Sequence, residues 1–333
     1  MFRPAGPRAS LALIVFLLAL PAGQLAAQPP SVVASVVSPA ASPVAAKPGV
    51  SAPTDSGPIA AGPDAVAEPG VQPASALSLL SFIDQALAEG RLQAAQDLVS
   101  RARAQSDDPH VRLREAELLL ASGALTQALA AFEALDTEAA VSARAGVGKA
   151  VAELRAGRET HAAQALTEAL AQDSGLVRGW IVRGVLADRR RDWKASEASY
   201  ARAIALDPAS SVAFNNRGYA RLLQGRNPEA EADLLRALQI DGSLAAAQTN
   251  LRLARAMQGR YAEAFLGSTR DDLARDLNIV GFAAMSRGDY ALAESYFARA
   301  LDINGQFDRT AAANLAYLET IAPGRGRTQA PPK

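Results

Sequence analysis

The sequence contains no cysteine. That excludes a disulfide framework, thiolate metal sites and a cysteine nucleophile. It also excludes the lipidated N-terminal cysteine of a bacterial lipoprotein. A chain without thiols is indifferent to an oxidising compartment. Aromatic residues make up only 5% of the chain, and the apolar share of 49% is rich in alanine, which suits tightly packed helices. Strand-type alternation is missing. There are two histidines, His110 and His161. They have no metal-ligand spacing and read as solvated helix positions. The 34 basic and 34 acidic residues balance, and no Lys/Arg-rich block stands out. No electrostatic footprint for nucleic acid is present. Outside the first residues, no apolar run approaches the ~20 residues that a membrane span needs.

The N-terminus reads as an export signal over residues 1–27. Arg3 and Arg8 give a positive start, Leu11 to Leu20 an apolar core, and Ala26-Ala27 a small-residue exit. That core is short for a span, so cleavage near Ala27 is expected, leaving no transmembrane segment in the mature chain; Leu25, three residues before the cut, is not the ideal small residue, and an uncleaved anchor is the alternative. Residues 28–74 are dominated by Pro, Ala, Ser, Val and Gly, with prolines from Pro39 to Pro73 recurring every few residues. Each removes a backbone donor and disfavours helix at the residue before it. The expectation is a disordered linker. It reads equally as a spacer that holds the folded part off an envelope surface and as an unselected segment.

A repeat begins near Ser75. An apolar stretch is followed by Gly and a polar residue, then by Ala opening a second apolar-periodic stretch. The clear copies are Gly225-Arg226 before Ala230, Gly259-Arg260 before Ala264 and Gly288-Asp289 before Ala293. Weaker ones stand at Gly90, Gly123 and Gly157, and Arg191-Asp192 takes the glycine slot once. The anchors predict repeat starts near Ala76, Pro109, Ala143, Val177, Ser211, Ala245 and Ala274. Most steps are about 34 residues, the period of a stacked helix pair. Glycine at the end of a first helix can take the left-handed conformation that turns the chain. In the best copy, Trp180 and Gly184 share a face of the first helix, and Tyr200 and Ala203 lie on the second. Asp207-Pro208 ends it, since proline cannot continue the helix. Trp180 and Tyr200 are expected in the packing seams. Gly218 and Ala230 mark the next copy; Gly281, Ala293 and Phe297 mark the last, which closes at Asn304-Gly305. One step, from Ala245 to Ala274, is only about 29 residues. Its second helix, near Tyr261 to Leu266, is cut short by Gly267-Ser268-Thr269. This is either a harmless deletion in a surface turn or a shaped notch. Asp308 to Ile321 reads as one more helix that caps the last apolar face, as stacked repeats require. Residues 323–333 read as a frayed, disordered tail.

The spacings W-x3-G, A-x3-[YF]-x2-A and a terminal D-P resemble tetratricopeptide repeats (TPRs), strongly over residues 177–322 and in a degenerate form over residues 75–176. The resemblance implies an all-α, right-handed TPR superhelix (α-solenoid) of about seven helix pairs plus a C-terminal capping helix. It further implies a concave groove walled by the first helices, with contacts from repeat positions 2, 5, 6, 9, 12 and 13. Arg178, Asn215, Asn216, Tyr219, Asn250, Leu253, Asn278, Phe282, Asn314 and Tyr317 are the candidate groove residues here. An asparagine offers two donors and an acceptor, so it can hold an extended backbone without selecting its side chains. Asparagines at these positions also serve to fix contacts between helices, and both readings stand. A carboxylate clamp built on Arg144, Lys149 and Arg178 does not reproduce the expected spacing.

No catalytic residues, metal site or cofactor are expected. Gly146-Val147-Gly148-Lys149 lacks the earlier glycine of a phosphate loop, because Ala143 stands there, and lacks the Ser/Thr after lysine. The pairs Asp107-Asp108 and Asp271-Asp272 fall at helix starts, where they cap free N–H groups. The blocks NNRGYARLLQGRNPEAE, NLRLARAMQGRYAEAF, LNIVGFAAMSRGDYALAESYFARAL and AANLAYL resemble the TadD-type assembly proteins of tight-adherence (Flp) pili. That implies an exported scaffold for pilus or secretion-machine assembly, periplasmic or outer-membrane-associated in a Gram-negative bacterium, with protein or peptide partners. Such arrays also form homodimers through end repeats. The alternatives are an adaptor for cell-wall synthesis, division or polysaccharide export, and an enzyme with a TPR appendage.

Overall fold

The computed structural model describes residues 75–303 and 309–322. The expected signal (1–27), linker (28–74), repeat end at Asn304-Gly305 and tail (323–333) lie outside the described residues. Every regular element among them is helical, in two compact units. The first holds α1 (Leu80–Ala88), α2 (Leu92–Gln105), α3 (Pro109–Ala121), α4 (Leu125–Glu133), α5 (Ser142–Arg155) and α6 (Glu159–Gln172). The second holds α7 (Val177–Arg189), α8 (Trp193–Leu206), α9 (Ser211–Leu223), α10 (Asn227–Ile240), α11 (Ala245–Met257), α12 (Tyr261–Ala264), α13 (Leu273–Arg287), α14 (Tyr290–Ile303) and α15 (Arg309–Ile321). The predicted starts at Pro109, Val177, Ser211 and Ala245 coincide with helix starts, and Ala143 and Ala274 each miss by one residue. Ala76 instead opens a turn that leads into α1.

One backbone device makes each helix pair. Gly90, Gly123, Gly157, Gly225, Gly259 and Gly288 all have φ between 68° and 87°. The residue after each donates its N–H five residues back, as Arg91 does to Ala86 O (2.8 Å) and Asp289 to Ala284 O (2.9 Å). This closes the first helix and frees the chain to reverse. In the fourth copy Arg191 takes the same conformation at φ 56°, and Asp192 donates to Ala187 O at 2.9 Å. An L-residue there is strained by ~1–2 kcal/mol, part of which glycine returns as extra freedom when unfolded. Arg191→Gly is therefore expected to stabilise the protein by ~0.5–1 kcal/mol. A thermal midpoint that fails to rise would show that Arg191 sits there unstrained.

The pairs are held shut by a small residue facing a large one. Tyr200, Phe132, Phe297 and Leu234, each on a second helix, are among the largest fully buried side chains. A Cβ on Gly184 would lie 2.5 Å from the Tyr200 ring, and one on Gly281 would lie 2.7 Å from the Phe297 ring. Gly218 meets Leu234 in the same way, at 2.9 Å. The first unit reverses the direction, with Gly148 of α5 under the Phe132 ring of the preceding pair. Ala203, Ala230 and Ala293 are fully buried beside these contacts. The Tyr200 hydroxyl donates to Asp188 Oδ2 at 2.7 Å. Burial pushes the Asp188 carboxyl up to about 6, against the hydrogen bonds it accepts from Ser196 and Tyr200. Trp180 is half-buried; its ring N–H donates to Ser174 O at 2.9 Å and Arg183 lies over the ring.

The helix ends follow the sequence in most places. Asp207 ends α8 in extended backbone, Ala209 N–H donates to its carboxylate at 3.0 Å, and Pro208 blocks continuation. Asp108 caps α3 by accepting from His110 N–H at 2.7 Å. Asp272 is a correction: it makes no cap to α13. Its carboxylate instead accepts from Thr269 Oγ1 (2.6 Å) and pairs with Arg275 (2.8 Å). Gly146 to Lys149 lie inside α5, where Lys149 faces Asp136 at 3.3 Å.

Candidate functional site

In the second unit the second helices α8, α10 and α14 each run 14 residues, whereas α12 is a single turn of 4. Gly267 (φ 78°) breaks the chain soon afterwards. With most of one second helix missing, α11 and α13 pack directly on each other. Ala256 of α11 joins Val280 and Ala283 of α13 in one apolar cluster with Ala264. Arg252 of α11 also meets Asp276 of α13 at 3.1 Å, and both are buried. Ser268 Oγ donates to Asp276 Oδ2 at 2.6 Å.

Beside this junction lies a cavity of about 150 Å³. Only first helices and the terminal helix line it: Tyr219, Leu222 and Leu223 from α9, Leu253 and Met257 from α11, Asn278, Ile279 and Phe282 from α13, and Thr310 and Asn314 from α15. No Asp, Glu, Lys, Arg or His is among them. Burial, with the nearby Asp188 charge, pushes the Tyr219 phenol up to about 12, so it remains a neutral group. Asn314 Nδ2 donates to Asn278 Oδ1 at 2.9 Å. Asn278 Nδ2 and Asn314 Oδ1 stand outside that bond.

Five of the ten groove residues expected from sequence therefore share one cavity: Tyr219, Leu253, Asn278, Phe282 and Asn314. Three others are placed differently. Asn250 Nδ2 donates to Asn215 Oδ1 (3.0 Å), and Asn215 Nδ2 donates to Asn216 Oδ1 (3.1 Å). Asn215 and Asn216 are 0% exposed, so these amides tie α9 to α11 and do not face a groove. That corrects the groove assignment for Asn215, Asn216 and Asn250 in favour of the helix-contact reading. Arg178 lies half-buried in the first turn of α7, and Tyr317 lies exposed on α15; neither lines the cavity.

The five lining residues that sequence reasoning missed carry a simple signal. Leu222 and Leu223 follow Tyr219 by three and four positions, Met257 follows Leu253 by four, and Thr310 precedes Asn314 by four. Those are the offsets that share a helix face. Ile279 adjoins Asn278. Sequence reasoning also missed an ion-pair ladder across the pairs. Arg221 holds Glu197 and Asp233, and Arg217 grips Asp233 in a fork at 2.7 and 2.9 Å. One repeat on, Arg255 (3.1 Å) and Arg260 (2.5 Å) hold Glu231, with Gln258 Nε2 donating at 2.9 Å. Among the described residues no cluster of three or more His, Asp or Glu could hold a metal ion. His161 is exposed and His110 half-buried. No described helix is long and apolar enough to cross a membrane.

No protein-family profile and no curated protein matches the sequence. Solved structures match its fold. A chain of the APC/C hetero-tetramer Cut9-Hcn1 aligns over 73% of this chain and 48% of its own, at 19% identity and a TM-score of 0.54. This chain thus spans about half the length of that relative. PilW, a widely conserved type IV pilus biogenesis factor, aligns over 63% of this chain and 99% of its own, at 20% identity and a TM-score of 0.51. Both are TPR proteins, and the paired helices described above have the TPR fold.

Proposed function

We propose that the protein is an exported, non-catalytic TPR adaptor that holds a protein partner against its first helices during assembly of a pilus or secretion machine. The observation that carries the adaptor reading is the cavity walled by α9, α11, α13 and α15, which is mainly apolar, free of charged groups and lined in part by an amide pair. Such a surface binds by desolvation and shape. The pilus reading is supported by the resemblance of residues 177–322 to TadD-type proteins and by the fold shared with PilW, itself a pilus biogenesis factor. The export reading is supported by Arg3, Arg8 and the apolar run that follows, and it puts the protein in the periplasm or at the outer membrane of a Gram-negative bacterium.

The test is a pull-down from envelope extract with the tagged protein beside a Leu223→Glu/Ile279→Glu variant of unchanged circular dichroism. Pilus or secretion components are expected with the parent and lost with the variant, because a charge in the cavity has no partner there. Variant-sensitive capture of cell-wall, division or polysaccharide-export proteins would replace the pilus reading with the alternative. Equal capture by both would remove the partner from this face.

A further inference from the structure

The cavity lies across the one irregular pair in the second unit. Two of its walls, α9 and α11, precede the truncated helix α12, and the other two, α13 and α15, follow it. Where the second helix is full-length, as α10 is, it packs on both the first helix before it and the first helix after it. Its loss lets α11 and α13 close on each other through Ala256, Val280 and Ala283. Leu253 becomes a hinge of the packing and touches three separate apolar clusters. Leu253 and Met257 line the cavity together with Tyr219 and Ile279.

The size and chemistry of the cavity select what can enter. Its volume is about 150 Å³. An apolar cavity of ~150 Å³ takes up one benzene-sized guest. A charged guest would lose its hydration and find no counter-charge on the walls. A small side chain such as alanine would leave most of the volume empty and lose the contacts that drive entry. The Asn278–Asn314 pair in the lining has a donor and an acceptor beyond its own hydrogen bond, which matches the N–H and C=O of an extended backbone.

The geometry points to a receptacle for a single large apolar side chain, Phe or Leu, on an extended and locally uncharged segment of a protein partner, with its backbone held by Asn278 and Asn314. This names the chemistry of the partner proposed above and rests on that reading.

The test uses the three methionines, of which Met257 lines the cavity and Met285 is buried in the adjoining cluster with Phe282. The purified protein, labelled with carbon-13 at the methionine methyls, is titrated with N-acetyl amides of phenylalanine, leucine, alanine and aspartate. Phenylalanine and leucine amides are expected to shift the Met257 methyl saturably and more than Met285. The alanine amide should bind at least ~10-fold more weakly, since burying a large apolar side chain contributes ~1.5–3 kcal/mol. The aspartate amide should not saturate. Ile279→Trp, which fills the cavity from a half-buried position, should abolish the shift while leaving the thermal midpoint no lower. No saturable shift with phenylalanine or leucine, or equal binding of aspartate, would overturn the proposal. So would undiminished binding by a folded Ile279→Trp protein. The wild-type titration decides the chemistry even if that variant fails to fold. A failed titration beside a successful pilus pull-down would overturn this inference alone; the reverse pattern would overturn the pilus reading alone.

Discussion

Removing the Asp276 carboxylate by Asp276→Ala is expected to lower stability by ~3–5 kcal/mol, one of the two largest effects in the second unit. Asp276 is 0% exposed and Arg252 6% exposed. The pair joins α11 to α13 at 3.1 Å, but the hydrogen bonding around it is incomplete. Arg252 Nε and Nη1 and Asp276 Oδ1 are buried without a hydrogen-bond partner. Burial, and the nearby charges of Arg275 and Arg255, push the Arg252 guanidinium below its usual range, while Asp276 and Asp272 pull it back. An arginine does not discharge at accessible pH. Without Asp276 it would remain a buried cation facing only the more distant Asp272. The converse follows from the same physics. Desolvating both ions offsets most of their attraction, so Arg252→Met/Asp276→Leu is expected to lie within ~1 kcal/mol of the parent or above it. Urea midpoints for the two variants decide the matter. Equal losses in both would mean that the ion pair itself holds α11 to α13. A negligible loss in Asp276→Ala would mean that water reaches Arg252 in solution.

The surroundings of that pair are not legible in the sequence. The positions of the turns were legible because the left-handed conformation admits few residues, so glycine must recur wherever a first helix ends. The short step from Ala245 to Ala274 was legible as a missing stretch. What it did to its neighbours was not, since the approach of α11 and α13 depends on what remains to be packed. The candidate site divides along the same line. Tyr219, Leu253, Asn278, Phe282 and Asn314 fall at groove positions of the repeat and share the cavity. Asn215 and Asn216 fall at groove positions too but are buried, because their amides hydrogen-bond to each other and to Asn250 of α11, a partner that only the stacked fold brings near. The ion-pair ladder did leave a trace. Arg221, Gln224, Arg226 and Glu229 recur 34 positions later as Arg255, Gln258, Arg260 and Glu263. Their partners Glu197 and Glu231 sit 24 residues earlier in each case, which is visible only once the pairs are stacked.

Gly281 and Phe297 carry the second large effect. Phe297 is fully buried on α14, and Gly281 of α13 lies beneath its ring. Phe297→Ala should lower stability by ~3–5 kcal/mol through lost transfer energy and the void left in the seam. Gly281→Val is expected to do comparable damage for the opposite reason. Its Cβ would approach Phe297 Cε1 to 2.7 Å and Tyr296 Cβ to 3.2 Å. A ring cannot fold away as a flexible chain end can, so α13 and α14 must separate, at a cost of ~1–3 kcal/mol or more. Gly281→Ala is the sharper probe, because alanine favours a helix interior by ~1 kcal/mol over glycine. On an open helix face that change would stabilise. Here it should destabilise, with the sign set by the ring above it. The neighbouring pair shows the remedy: Gly218 faces a leucine, Leu234, where the contact distance is a little longer at 2.9 Å. Gly281→Ala/Phe297→Leu should therefore lose less than its two single changes added together, with a coupling of ~0.5–3 kcal/mol in a double-mutant cycle. Strict additivity would mean that the two positions do not meet in solution, and that helix pairs here are set by the turns alone.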